Sequence, residues 1–354
     1  MRKLQISTAQ TIFLLFVCRM FTVVTFSPIY LRQSESNAIL LGDLIAAAVT
    51  FVLLIPLFCY FRGNQRDFLL DSMRVSNVFG KIVVVYFFLV ILLTLIATVS
   101  HLEYFITNAV FPNASSAVIL ITFLLACMYG AWMGLEGVAR SAGIVFVFFV
   151  LSIGVILCTA WSKLDWIHIK PLVDEPVRSV MNVVLCNVSN NMEFVVLMLL
   201  LPHSKGSFAK ISIWYLVLTS VFTLLIEGMT ILILGDYTMK QIFPFYTLAS
   251  IAETKVIPRL DSLHMALWIL VSFIRTSLYL IVAQNLLQKL LPKKMKTAAL
   301  WMIALAVFLV HLFLTYSIDG VSIVYRCMET AIPLLVAIVL LPLILLLLRR
   351  WKRT

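Results

Sequence analysis

Charge is scarce in this chain. Asp, Glu, Lys and Arg supply 12% of its 354 residues, where soluble domains carry about 25%. Hydrophobic residues supply 62%, and that balance excludes a water-soluble domain. Several apolar runs reach eighteen residues or more, the length that crosses a bilayer as a helix. The short alternating strands of a membrane barrel are not the pattern. The chain therefore reads as an all-α integral membrane protein.

Other absences narrow the function. The six cysteines are scattered, with no CxxC pair, and most fall within apolar runs, as small packing residues do. No GxSxG, HExxH, Walker A or GxGxxG occurs, so neither an enzyme nor a nucleotide cofactor is indicated. His101, His264 and His311 stand on different spans without metal-like spacing. Glycine is thin as well: none precedes Gly42, and none lies between Gly154 and Gly206.

What remains is a set of about ten spans, roughly 7–30, 38–61, 81–107, 116–134, 141–161, 179–201, 210–234, 263–289, 298–317 and 328–348. Arg2 and Lys3 ahead of an apolar run resemble a signal peptide, but no small-residue cleavage site follows, so the run reads as a retained first helix. The formal charge of +11 sits in the linkers and at Arg349, Arg350, Lys352 and Arg353. Basic residues fall roughly two to one on one side when both termini are cytoplasmic, which sets orientation rather than nucleic-acid binding. Two outer linkers are long, 162–178 and 235–262. The second, rich in aromatics and prolines, is expected to fold back as a lid. Trp161, Trp166, Trp301 and Trp351, near span ends, are expected to anchor at the membrane interface.

The sixth span is the least lipid-like. Between Arg178 and Pro202 it holds Asn182, Asn187, Ser189, Asn190, Asn191 and Glu193, and a central charge costs roughly 2.5–3.5 kcal/mol on insertion scales. On a continuous helix Asn182, Cys186, Ser189, Asn190 and Glu193 share one face, with Asn187 and Asn191 elsewhere. Polar groups on both sides predict a helix that loosens beside a cavity. Further stripes are Thr219, Thr223, Glu227 and Thr230 in span 7; Asp261, His264, Trp268, Ser272, Arg275 and Tyr279 in span 8; Thr94, Thr98 and His101 in span 3; and Arg19, Thr22, Thr25, Ser27 and Pro28 in span 1. Each is expected to face the bundle interior. For a single Thr or Ser the plain alternative is a bond to its own helix backbone. Arg19, Glu193, Glu227 and Arg275 either form structural ion pairs or line a ligand or ion route. Glu136 and Arg140, one turn apart, either pair or mark a functional inner loop.

The chain also resembles a known family along nearly its whole length. The matching stretches are Ile6-Ser7-x-x-Gln10, Val78-Phe79-Gly80-Lys81, His101-Leu102-Glu103-Tyr104-Phe105 leading to Phe111-Pro112, Gly134 to Arg140, Asp165 to Pro171, Glu193 with Pro202, and Phe243-Pro244 through Arg259-Leu260-Asp261 to Trp268. They resemble the B-subunit family of spore germination receptors, the GerAB-type spore permease branch of the amino acid–polyamine–organocation superfamily.

The resemblance implies a LeuT-like fold of five plus five helices in inverted repeats, with repeat one about 1–161, a linker about 162–178 and repeat two about 179–348. It implies spans 1 and 6 interrupted at mid-membrane and a small amino-acid-like nutrient held there, by Thr22, Val23, Thr25, Asn187, Ser189, Asn190, Asn191 and Glu193. Arg19, Glu227, Arg275, Thr98 and His101 would be buried coupling groups. It also implies the inner membrane of a bacterial spore, with A and C subunits of a germinant receptor as partners. Family members commonly carry glycines at both breaks, and glycine allows close backbone approach. This chain lacks them, so its ligand contacts would come from side chains. The alternative reading is a proton-coupled amino acid permease in which Glu193 or Glu227 carries the proton.

Overall fold

Helices start where the sequence supplies caps for their orphan N–H groups. Ser7 and Gln10 make a reciprocal capping box: the Ser7 amide donates to Gln10 Oε1 at 2.9 Å and the Gln10 amide to Ser7 Oγ at 3.2 Å. This launches α1, Thr8–Thr25. Asp67 accepts the amides of Leu69 and Leu70 to open α4, Phe68–Val75. Ser207 accepts from Lys210 N to open α10, Phe208–Leu234. The structure is a computed structural model, and it describes residues 5–25, 36–62, 67–111, 113–169, 176–252, 260–316 and 330–351.

The remaining elements in chain order are α2 (Ser36–Leu53), α3 (Ile55–Phe61), α5 (Asn77–Phe105), α6 (Ser116–Trp132), α7 (Gly134–Ala160), α8 (Val177–Ser189), α9 (Glu193–Leu200), α11 (Pro244–Ile251), α12 (Leu260–Leu290) and α13 (Ala299–Tyr316). The last span joins Ile332–Leu335, a π-helical turn Val336–Leu340 and Leu341–Trp351. Among the described residues eight helices are long and apolar enough to cross a membrane, and Ser116–Trp132 and Ile332–Leu348 are shorter apolar helices. Together they account for the ten expected spans.

Lipid-facing surfaces are apolar. Val118, Ile121 and Leu125 on α6, Ile144, Val147 and Leu151 on α7, and Leu305, Leu309 and Phe313 on α13 are all exposed, as expected of faces solvated by acyl chains. Trp132, Trp161, Trp166 and Trp301 are exposed too. The core is formed by α1, which packs against α7, α10 and α12, and by α12, which also packs against α5 and α6. The start of the chain is tied to the end of span 6: Ile6 N donates to His203 O at 2.9 Å and Lys205 N to Ile6 O at 3.0 Å.

Most Thr and Ser hydroxyls in the polar stripes bond their own helix. Thr94, Thr98, Thr219, Thr230 and Ser272 donate to the carbonyls of Val90, Thr94, Tyr215, Ile226 and Trp268, the plain alternative for such residues. Glu136 and Arg140 pair across one turn of α7. From the outer segment expected to form a lid, α11 packs on α1, α7, α10 and α12 and buries Phe245 and Leu248. Ser27, Pro28, Pro112, Pro171 and Arg259 fall outside the described residues, as do parts of spans 1, 9 and 10.

Candidate functional site

Span 6 breaks near its middle. Helix α8 ends at Ser189, α9 begins at Glu193, and Asn190–Met192 between them are not helical. The cause is local. Asn187, Ser189, Asn190 and Asn191 follow one another closely, and such side chains compete with backbone groups for hydrogen bonds. Ser189 Oγ donates to Cys186 O at 2.7 Å, and Asn191 Nδ2 to Asn187 O at 2.8 Å. The predicted loosening is therefore a true interruption. Helix α1 is unbroken from Thr8 to Thr25; the remainder of span 1, residues 26–30, lies outside the described residues.

Two polar clusters flank the break. The first is an ion pair, Arg275 Nη1 to Glu193 Oε1 at 2.7 Å, with Glu193 0% and Arg275 3% exposed. Further hydrogen bonds surround both charges, as a buried pair requires. Tyr215 and Tyr279 donate their hydroxyls to the carboxylate, each at 3.3 Å. Arg275 Nε donates to Thr98 Oγ1 at 3.2 Å and Nη1 to the Cys18 carbonyl. The guanidinium lies over the rings of Tyr279 and Phe21, at 5.1 and 5.6 Å, a cation–π geometry. The carboxylate also opens α9, where the helix dipole favours negative charge.

The second cluster centres on Arg19, 4% exposed. Its Nη1 donates to Thr22 Oγ1 at 2.9 Å and to the Asn190 carbonyl at 3.1 Å, and Nη2 donates to Asn187 Oδ1 at 3.0 Å. Asn187 Nδ2 in turn donates to Asp43 Oδ1, and the Asp43 carboxyl faces that of Glu227. Arg19 thus holds an unwound carbonyl of span 6, while Asn187 bridges it to α2.

Most of the residues singled out from the sequence converge here. Arg19, Thr22, Asn187, Asn190 and Glu227 join one cluster; Glu193, Arg275 and Thr98 the other. Asn191 Oδ1 lies 3.5 Å from the Tyr215 hydroxyl. Three take other neighbours. Ser189 caps its own helix, Thr25 Oγ1 accepts the Trp268 indole N–H at 2.6 Å, and His101 packs against Phe21. Val23 lines a cavity of about 30 Å³ with Glu227 and Thr230. The face expected to turn inward is not the one that does: Asn187 and Asn191 turn to the cluster, whereas Asn182 is exposed.

Asp43 and Tyr215 were missed, whereas Tyr279 belongs to the interior stripe expected of span 8. Asp43 is the sole charged residue of α2 but joins no polar stripe of the kind that marked Glu227, and Tyr215 read as ordinary aromatic bulk. A second cavity of about 30 Å³ lies among Arg19, Asp43, Asn187, Asn191 and Thr223. Each holds about one water molecule, whereas small-molecule pockets run to roughly 300–1,000 Å³. This arrangement is closed, most of its polar groups occupied by one another. A larger cavity of about 280 Å³ lies at one end of the bundle, among Asp67, His203, Asn285, Lys289 and Lys296, away from the break.

The chain matches the spore permease model, described as spore germination protein, over residues 5–319. Among curated proteins none matches it in sequence. Its fold is that of solved transporters. A Na+-coupled sialic acid symporter, in a substrate-bound outward-open state, aligns with a TM-score of 0.63 at 14% identity, over 95% of this chain and 79% of that one.

Proposed function

The chain belongs to the spore germination protein family, and from that premise we propose that it is the membrane subunit of a spore germinant receptor. It binds a small amino-acid-like nutrient at the break in span 6 and passes the bound state to A and C subunits. It works in the inner membrane of the spore with both termini cytoplasmic, an orientation the basic linkers support, and it is not an enzyme. The observation that carries the reading is the Asn190 carbonyl, freed by the interruption and held by Arg19 at 3.1 Å. A zwitterionic ligand offers a carboxylate to Arg19 and an ammonium to the Asn190 carbonyl, so it can replace the protein's own contacts one for one. Because it binds only where those contacts have opened, it shifts the population toward the open arrangement.

Asn190→Leu and Thr22→Leu put apolar side chains beside the Arg19 guanidinium, at the two residues that Nη1 holds. Spores carrying either variant are expected to lose nutrient-triggered germination by at least tenfold, with normal amounts of the protein in the membrane. An unchanged nutrient response in both variants sinks the reading. The Asp43–Glu227 contact favours a second reading, a proton-coupled permease. Labelled amino acid accumulating in proteoliposomes under a pH gradient would select it.

A further inference from the structure

The formal charges around Arg19 do not balance. Arg19 contributes one positive charge, Asp43 and Glu227 two negative ones, and the Glu193–Arg275 pair is neutral within itself. One negative charge is left inside the bilayer, where an uncompensated charge is strongly disfavoured. Hydrogen bonding shows the same shortfall. Asp43 is 7% exposed; its Oδ1 accepts from Asn187, while its Oδ2 has no partner. The carboxyl of Glu227 is within hydrogen-bonding reach, yet two carboxylates present only acceptors to each other.

We propose that Asp43 and Glu227 bind one proton between them, forming a proton site at the α2–α10 interface. A single hydrogen corrects both deficits: it cancels the surplus charge and supplies the missing donor. A metal ion held by both carboxylates would also correct both, but no group of three His, Cys, Asp or Glu suited to one occurs among the described residues. The charged groups acting on the pair are few. Asp43 meets Glu227 from α10 and Arg19 from α1, and α8 contributes the neutral Asn187. Asp43 is seven residues inside the start of α2 and Glu227 seven residues short of the end of α10. At 1.5 Å per residue both lie roughly 10 Å below the same end of the bundle, a short path for a proton.

The site is wired to the break. Asn187 joins Asp43 to Arg19, and Arg19 holds the Asn190 carbonyl. Losing the proton sets two like charges against each other across α2 and α10 and strengthens the pull of Asp43 and Glu227 on Arg19. The guanidinium is then drawn from Asn190. Proton release and opening of the break are the same movement, whatever nutrient the chain takes.

The test uses the full chain in lipid nanodiscs without ligand, so its outcome is separate from that of the germinant reading. Infrared difference spectra taken across a pH titration are expected to show a protonated carboxylic C=O band at neutral pH that bleaches in one step at alkaline pH. D43N and E227Q should each abolish that step, and E136Q, on the surface, should keep it. Two neutralising variants guard against one failing to fold. Absence of the band at neutral pH, or its survival in both variants, overturns the proposal. So does a Na+-specific rise in thermal midpoint, measured against choline at equal ionic strength and lost in D43N, since the bound cation would then be a metal ion.

Discussion

Glu193→Ala is expected to destabilise the protein by about 3–5 kcal/mol, the cost of stranding one member of a buried ion pair. The variant leaves Arg275, 3% exposed, with hydrogen-bond acceptors at Thr98 and Cys18 but no counter-charge. Tyr215 and Tyr279 lose their shared acceptor at the same time, and the start of α9 loses its favourable charge. Arg275→Met should cost a similar amount by stranding Glu193. The double variant Glu193→Gln/Arg275→Met removes both charges and keeps much of the volume, so it should recover most of the loss. Unfolding midpoints in mild detergent for the four proteins give the coupling energy directly. Single variants within 1 kcal/mol of the parent protein would show that the pair does not hold the bundle together. The same arithmetic governs how loss of function at this position is read. A silent receptor carrying Glu193→Ala reports a failed fold, whereas Asn190→Leu touches the break without unpairing a charge.

The sequence revealed which groups would be buried, and less about how they would be paired. Intramembrane charge is costly enough that Arg19, Glu193, Glu227 and Arg275 declare themselves without any structure. Their partners depend on helix rotation, which hydropathy does not encode. Glu193 lies nearer in sequence to Asn187 and Asn191, yet it takes Arg275 from α12, while Arg19 from α1 takes Asn187 and the Asn190 carbonyl. The break itself was legible, because four amide and hydroxyl side chains in five positions are too many for a lipid-facing helix. A wheel gives spacing but not which face turns inward, however, and it placed Asn182 inside and Asn187 outside the site although both lie in the regular helix before the break. Asp43 escaped notice because, as the single charge of an otherwise apolar helix, it formed no stripe. The scarcity of glycine before Gly42 and around Asn190 proved informative in a different way: the contacts at the break are made by Arg19, Thr22 and Asn187 side chains.

Gly42→Val should be the most damaging apolar substitution in the second span. A Cβ at Gly42 would lie 2.5 Å from both Cβ and Cγ1 of Val183 and 3.3 Å from the Val180 carbonyl, where α2 packs against α8. Small residues let membrane helices approach in this way. A glycine in a helix interior ordinarily gains up to about 1 kcal/mol on substitution, so the sign depends on whether Val183 can give way. It cannot: its Cβ is fixed to the α8 backbone, and a β-branched side chain has essentially one rotamer in a helix. Overpacking therefore wins, at about 3 kcal/mol, the upper end of the usual range. Moving α2 outward also withdraws Asp43, the next residue, from Asn187, so what remains folded should lose the alkaline infrared step of the Asp43–Glu227 pair. The swap Gly42→Val/Val183→Gly returns the lost volume to the opposite helix and should restore both the thermal midpoint and the titration. A Gly42→Val protein as stable as its parent would mean that α2 and α8 do not meet at this residue, and with that the link from Asp43 through Asn187 to the break would be lost.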